Sequence, residues 1–278
     1  MVRIHRTILL VSVLWGINAQ AKILPYQISC NINKPYHRVQ QVQGAVITVS
    51  RNNGVCRVSV KSTTGESLLD ESAYGIQVSQ VMPFGQPLND SIVIQIDGNP
   101  DTVYVLSLGS HPSISATIKN GYGFWLQDGC TPNRWYLWTA DAAFQGDPEL
   151  IDIYHFDVIV PEVALDLANG KLVDVTPLCK PLFDRRIAQA RKQLSPGRLS
   201  QFKKGIGSTE SRNQTKGELL SIAFAYLYTG RAKEARKVVE DFWPNDKRDE
   251  VFNWMSHKRA QGITSKLLTI SPLTSCSQ

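Results

Sequence analysis

The sequence predicts an α+β fold, in which an antiparallel β meander is followed by a small helical region. Short runs of β-branched and aromatic residues alternate with turn pairs up to residue 175. After Pro181 the apolar residues recur at helical spacing instead. The charge changes at the same place, from a net of −6 over residues 22–179 (9 basic, 15 acidic) to +10 over residues 180–278 (19 basic, 9 acidic).

These changes divide the chain into four predicted segments. They are an export signal over residues 1–21, an antiparallel β domain over 22–179, a basic helical region over 180–262, and a polar tail over 263–278.

The first segment has the features of a cleaved export signal. Arg3 and Arg6 precede a short apolar run, and Ala19 and Ala21 supply the small residues of a cleavage site. The apolar run is shorter than the roughly 20 residues that a membrane-spanning helix needs. We therefore expect a secreted or periplasmic protein whose mature chain has no membrane span, with an uncleaved anchor as the alternative.

Most of the predicted strands pair through recognisable turns. An Asn-Gly pair between β-branched runs is the strongest short signal for a hairpin. Residues 135–139 and the alternating residues 151–160 are further strands, and the whole pattern is typical of a sandwich, a barrel or a blade-like meander. The paired runs are residues 45–49 with 55–60, 91–96 with 102–108, 114–118 with 122–126, and 163–167 with 171–175.

The basic region shows helical periodicity in separate stretches. A stripe of apolar residues after Pro181 predicts the first helix. The stretch 198–216 is basic and contains Gly and Ser, which is typical of a surface loop or linker. Residues 218–229 and 232–243 then predict a helical hairpin, and a third helix runs from about residue 245 to 261.

Five cysteines lie beyond the export signal, and an exported chain meets an oxidising compartment in which cysteines pair. Their spacings are too long for a zinc knuckle or a redox Cys-x-x-Cys site. Five choices of the unpaired cysteine each leave three pairings. We favour Cys30 with Cys56 and Cys130 with Cys179, because each lies near the end of a predicted strand, and leave Cys276 unpaired.

Residues 218–244 resemble a single tetratricopeptide-like helical hairpin. The resemblance implies two helices docked on the β region, because an independent solenoid needs about three such repeats and one is visible. It is carried by a small-residue face, a glycine turn and a Glu-Ala pair that enters the second helix. These positions are Ala223, Tyr226, Leu227, Gly230, Glu234, Ala235 and Pro244.

Residues 126–176 resemble part of a group of uncharacterised exported bacterial proteins with FG-GAP-like, propeller-blade-like strands. The matching residues are Asp141-Ala142-Ala143-Phe144, Pro161 and the segment 170–176. The acidic loop of that group is reduced here to Asp128, and calcium takes about 6–8 oxygen ligands. We therefore expect no metal and no cofactor. The resemblance implies an exported bacterial protein and no particular activity.

Aromatic side chains and carboxylates are dense between residues 122 and 157. They predict a binding face for a protein or glycan, formed by Trp125, Trp135, Trp138, Asp141 and Phe144. The alternative is a secreted glycosidase-like hydrolase, because that chemistry needs two carboxyls across a sugar beside aromatic platforms. Asp141 would supply one carboxyl, and the candidates for the second are Asp147, Glu149, Asp152 and Asp157.

Other function classes find no support in the motifs. The chain lacks the His-Glu-x-x-His motif of zinc proteases, the Gly-x-Ser-x-Gly elbow of hydrolases and a phosphate-binding glycine loop. Aromatics lie between the basic helical residues at helical spacing, which favours packing over stacking on nucleic-acid bases. The basic half either meets an anionic partner or is a solvated face. We expect an exported, non-enzymatic binding protein of the bacterial envelope or exterior.

Overall fold

The computed structural model describes residues 23–24, 26–31, 34–85, 89–98, 101–128, 130–131, 134–144, 160–169, 171–266 and 268–269. Several predicted features lie outside these residues. They are the export signal, the strand predicted over residues 151–160 apart from its last residue, Asp147, Glu149, Asp152, Asp157 and Cys276.

The described residues form fifteen strands and five α-helices. The strands are β1 (Ile23–Leu24), β2 (Tyr26–Cys30), β3 (Tyr36–Val42), β4 (Ala45–Asn52), β5 (Val55–Ser62), β6 (Ser67–Ala73), β7 (Ile76–Ser79), β8 (Met82–Phe84), β9 (Asn89–Ile96), β10 (Asp101–Ser107), β11 (Ser113–Gln127), β12 (Tyr136–Asp141), β13 (Glu162–Ala168), β14 (Lys171–Asp174) and β15 (Leu268–Thr269). The helices are α1 (Lys180–Gln193), α2 (Pro196–Lys203), α3 (Thr209–Tyr228), α4 (Ala232–Phe242) and α5 (Arg248–Gln261). Short 3-10 turns lie at Ala142–Phe144, Thr176–Cys179, Asn245–Lys247 and Ile263–Lys266.

The strands are arranged in two sheets. The large sheet has the order β15-β14-β13-β12-β11-β10-β9-β7-β2, with β1 beside β11 and β8 beside β9. The small sheet has the order β3-β4-β5-β6. The pairs are antiparallel except for β14 with β15, which run parallel. The predicted α+β class is confirmed, with antiparallel sheets followed by a five-helix region.

The hairpins of the β region form where the turn residues predict them, with one exception. At the β4–β5 turn both Asn53 and Gly54 take positive φ, 51° and 82°, as a two-residue hairpin requires. The β9–β10 and β13–β14 pairs also form as predicted.

The hairpin predicted at Asn120-Gly121 is wrong, because both residues lie inside the single strand β11. The first part of β11 pairs with β10 and its second part with β12. Between Tyr122 and Phe124 the register shifts, and Gly123 takes a φ of 67°. The glycine therefore allows a bulge that redirects the strand without reversing it.

The linker predicted over residues 198–216 is also wrong, because α2 and the first turns of α3 occupy it. A serine caps the start of each of these two helices. The Ser195 side chain accepts a hydrogen bond from the amide of Arg198, and the Ser208 side chain accepts one from the amide of Ser211. The tail predicted from residue 263 likewise includes a 3-10 turn and β15.

Both faces of the large sheet are covered where β9 and β10 lie. Ile92 and Ile94 belong to an apolar cluster shared with the small sheet, whereas Val93 belongs to a cluster shared with the helices. Side chains alternate between the faces of a strand. The small sheet therefore covers one face of these strands, and the other face belongs to the same core as the helices.

The longest helix, α3, lies at the centre of the helical layer and packs against α1, α4 and β13. Its second half, from residue 217 to 228, is buried on most sides, including the consecutive pair Ala223 and Phe224. A helix that is apolar all round is typical of such an interior position.

Two disulfides connect these layers, and they are the two favoured pairs. Cys30–Cys56 joins β2 of the large sheet to β5 of the small sheet. Cys130–Cys179 joins the segment before β12 to the 3-10 turn that precedes α1. Among the described residues, none of the helices combines the length and the apolar character that crossing a bilayer requires.

Removing the second disulfide tests its contribution to stability. The double variant Cys130→Ala, Cys179→Ala should lose about 4 kcal/mol of unfolding free energy, because a crosslink across 49 residues restricts the unfolded chain. Urea denaturation of the non-reduced protein measures the loss. Cys276→Ala is the matched control and should leave the urea midpoint unchanged. Equal midpoints for the double variant and the control would contradict the prediction.

Candidate functional site

The aromatic residues predicted as a binding face form part of the core. Trp138 and Phe144 are fully buried, and Trp125 and Trp135 are half-buried against the cluster that the sheet shares with the helices. Trp125 stacks on Trp138 with ring centroids 6.5 Å apart. Trp138 and Phe144 therefore pack inside the protein, whereas Trp125 and Trp135 keep part of their surface exposed, and the binding face stays a prediction.

Phe144 connects the end of β12 to two helices. It lies in the 3-10 turn directly after that strand. Its ring makes edge contacts with Phe224 and Tyr228 of α3 at 4.8 and 6.4 Å between centroids, and with Trp254 of α5 at 5.5 Å. The ring therefore serves packing between the layers.

Asp141, the last residue of β12, is also fully buried. Its Oδ2 accepts a hydrogen bond of 2.6 Å from the Tyr228 hydroxyl. Its Oδ1 accepts hydrogen bonds from the backbone amides of Ala143 (3.1 Å) and Ile263 (3.3 Å). One carboxyl group thus ties the sheet to α3 and to the segment that follows α5.

Gly262 makes this close approach possible. A Cβ atom at position 262 would lie 2.0 Å from Oδ2 of Asp141 and 2.7 Å from Oδ1. Any other residue would displace the carboxyl group, since real Cβ atoms do not approach other atoms so closely. The sequence offers no signal for this requirement, because it depends on two positions that are distant in the chain.

A second buried carboxyl group, Asp174 of β14, lies in the same region. Its Oδ1 accepts a hydrogen bond of 2.9 Å from the amide of Thr176, and its Oδ2 has no partner among the described residues. Arg259 of α5 stacks over the Tyr228 ring, 5.4 Å from its centroid. We call Asp141, Asp174, Tyr228 and Arg259 the buried polar joint.

Burial sets the protonation behaviour of this joint. It raises the pKa of Asp141 and that of Asp174 above their usual values, and the hydrogen bonds and the charge of Arg259 offset the effect in part. The charge of Asp141 raises the pKa of Asp174 further. Burial and the charge of Asp141 also hold the pKa of Tyr228 well above its usual value. The neutral forms are favoured, as expected for carboxyls removed from water.

The geometry of the joint suits structural attachment of the helices. A substrate cannot reach Asp141 in this structure, because neither oxygen faces solvent and all its contacts are internal. The carboxylates proposed as its partners in hydrolysis lie outside the described residues. Within the described ranges, no cluster of three or more His, Cys, Asp or Glu side chains is placed to hold a metal.

A concavity lies at the β4–β5 turn of the small sheet. It has a volume of about 310 Å³ and is lined by Lys34, Pro35, Arg51, Asn52, Asn53 and Gly54. We call this cavity the basic pocket.

Arg51 occupies an unusual position for a charged residue. The inward positions of β4 carry Ala45, Ile47 and Val49, and Arg51 continues that row with an exposed fraction of 9%. Its Nη2 donates a hydrogen bond of 3.3 Å to the carbonyl oxygen of Gly54, and its Nη1 has no acceptor among the described residues. This break in the apolar row was visible in the sequence, and our sequence interpretation missed it.

Exposed apolar side chains lie at the same end of the sandwich as the basic pocket. Val55 directly follows the turn and is 42% exposed. The β5–β6 register places Ala73 beside Cys56, so Tyr74 comes next to this end, and its exposed fraction is 83%. We call Lys34, residues 51–55 and Tyr74 the sandwich end.

No family model, curated protein or solved structure matches the chain. The resemblances of residues 126–176 and 218–244 therefore stay predictions.

Removing the phenol hydroxyl tests the buried polar joint. Tyr228→Phe should lower the unfolding free energy by about 1–3 kcal/mol, because it leaves Oδ2 of Asp141 buried without its donor. Tyr226→Phe is the matched control. Its hydroxyl accepts a hydrogen bond from Arg191 in an exposed contact, and water can replace that contact. Denaturant titration compares the two variants, and equal losses would contradict the assigned role of the joint.

The raised pKa of Asp174 predicts a pH dependence of stability. The folded state holds this proton more tightly than the unfolded state, whose pKa is about 3.9. The corresponding stability is complete below about pH 4 and is lost as the pH rises through the higher folded pKa. Asp174→Asn removes this loss, so the variant should gain stability relative to the wild type between pH 4 and pH 7.

The measurement is a denaturant titration of each variant at several pH values between 4 and 7. Asp70→Asn is the control, because its expected change in stability with pH has the opposite sign. The hydrogen bond from Arg57 lowers the pKa of Asp70, so that variant should lose stability relative to the wild type as the pH rises. If both variants shift in the same direction, the prediction for Asp174 is wrong.

Proposed function

We propose that this protein is an exported, non-enzymatic binding protein of the bacterial envelope or exterior. It contacts an anionic partner, a protein or a glycan, through the sandwich end. The observation that carries the proposal is the position of Arg51, a cation at an inward strand position that opens onto a pocket also lined by Lys34.

The composition of the sandwich end supports contact with a partner. Tyrosine and arginine are enriched at the centres of protein interfaces. Tyr74 is the most exposed of the large apolar side chains among the described residues. The Cys30–Cys56 disulfide holds the strands beneath it, and loops on a rigid scaffold are the usual location of binding residues.

Two features support the proposed location. Four cysteines form two disulfides, as is typical of proteins that fold in an oxidising compartment. The residues before position 22 have the charge and apolar pattern of an export signal.

The basic helices are the weaker candidate for the contact, because several of their cations are paired within the chain. Arg231 pairs with Asp184, and Arg186 pairs with Glu162. Arg185 and Lys192 remain exposed on α1. A variant that changes these two residues therefore distinguishes the helical layer from the sandwich end.

Capture from an envelope extract tests the proposal. The immobilised mature protein should retain a partner at low salt and release it at high salt, since exposed charges are screened within about 10 Å at 0.1 M. Tyr74→Ser should lower the amount of that partner by about tenfold or more, as expected for an interface anchor. Ile206→Ser is the control, because Ile206 is also exposed (57%) but belongs to the helical half.

The opposite pattern would contradict the proposed contact. If Arg185→Gln with Lys192→Gln abolishes capture while Tyr74→Ser leaves it unchanged, the partner binds the helical layer. Mass spectrometry identifies the retained partner, so that the same species is followed in every variant.

A further inference from the structure

We propose that the basic pocket binds an oxyanion, the phosphate or carboxylate group of a larger partner. This inference rests on the proposed function, because it names the chemical group that the sandwich end would recognise. It depends on the charge and burial of Arg51, on the position of Lys34 and on the size of the pocket.

No carboxylate among the described residues neutralises Arg51. The residue is nine-tenths buried, and its Nη1 is covered by protein and has no acceptor among the described residues. Burial of a cation is unfavourable unless a partner compensates the charge. Within the described part of the chain, neither Arg51 nor Lys34 forms an ion pair. An anion in the pocket would supply the compensation.

Arg57 on the same hairpin shows the contrast. It lies on β5 beside Ser50 of β4, and its side chain is 61% exposed. Asp70 neutralises it in a two-pronged contact, with a distance of 2.7 Å from Nε to Oδ1. Of the two arginines on this hairpin, the outward Arg57 is therefore paired, whereas the inward Arg51 has no carboxylate partner in the part of the chain that the structure describes.

Arg51 and Lys34 would contribute to anion binding in different ways. The Nη1 atom of Arg51 is covered by protein, and because the guanidinium charge is delocalised it contributes positive potential to the cavity. Lys34 is exposed at the wall of the pocket, where its ammonium group can donate hydrogen bonds directly to an entering oxygen. Charge-assisted contacts of this kind are the stronger class of hydrogen bonds.

The size of the pocket also fits such a group. A volume of about 310 Å³ lies at the lower end of the range for small-ligand sites. It accommodates one charged group of a partner, while Tyr74 and Val55 remain exposed for the rest of the contact.

Phosphate titration tests the site directly. The isotope-labelled mature protein is titrated with sodium phosphate and separately with sodium acetate, at constant ionic strength with chloride as the replaced anion. The amide signals of Asn53 and Gly54 should shift and saturate with at least one of the two anions. Lys34→Gln and Arg51→Gln should each weaken this binding by about tenfold or more, because each removes a charge-assisted contribution.

Arg57→Gln is the matched control and should leave the titration unchanged. Arg51→Lys keeps the charge and should retain part of the affinity. The amide spectrum shows whether Arg51→Gln is folded, and if it is not, Lys34→Gln decides, because that side chain is exposed. The inference is overturned if neither anion gives a saturable shift, or if Lys34→Gln leaves the shift intact.

The two proposals fail separately. If Tyr74→Ser abolishes partner capture but no anion binds the pocket, the oxyanion site is wrong and the binding function stands. If phosphate or acetate binds the pocket but the captured partner is insensitive to Tyr74→Ser, the site stands and the proposed contact is wrong.

Discussion

The attachment of the helices to the large sheet depends on one buried carboxyl group. Asp141 accepts hydrogen bonds from a side chain of α3 and from backbone amides on both sides of the joint, while Phe144 packs its ring beside them. A buried carboxyl without such donors is strongly unfavourable. The contact therefore specifies how the helices fit on the large sheet. It also requires glycine at position 262 and a hydroxyl donor at position 228.

The order of strands and helices was predictable from local signals, because hairpin turns and helical periodicity depend on residues that are close in sequence. Asn53-Gly54 specifies its turn through positive φ at two neighbouring positions. Asn120-Gly121 has the same residue pair but lies within β11, because the neighbouring strands on its two sides decide the pairing. The stretch 198–216 was misread for a related reason, since the caps at Ser195 and Ser208 are recognised only once the helices after them are known.

The candidate site was less predictable than the fold. The density of aromatics around Trp138 and Phe144 has the same appearance in sequence whether those rings line a binding face or a core. Their burial follows from the helices that pack on them, which the sequence of the β region does not contain. Arg51 is the opposite case, because its break in the row of Ala45, Ile47 and Val49 is local and was available beforehand.

The parallel pairing of β15 with β14 has a consequence for assembly. All five helices lie in the chain between these two neighbouring strands, so the helical layer is one long crossover connection. Contacts between segments so distant in sequence are slow to form, because the intervening chain loses entropy before the strands meet. If the chain folds as it emerges from its amino end, the edge of β14 that pairs with β15 stays free until residues 268–269 have emerged. The last strand thus covers an edge whose backbone groups would otherwise be left open to pairing with another chain.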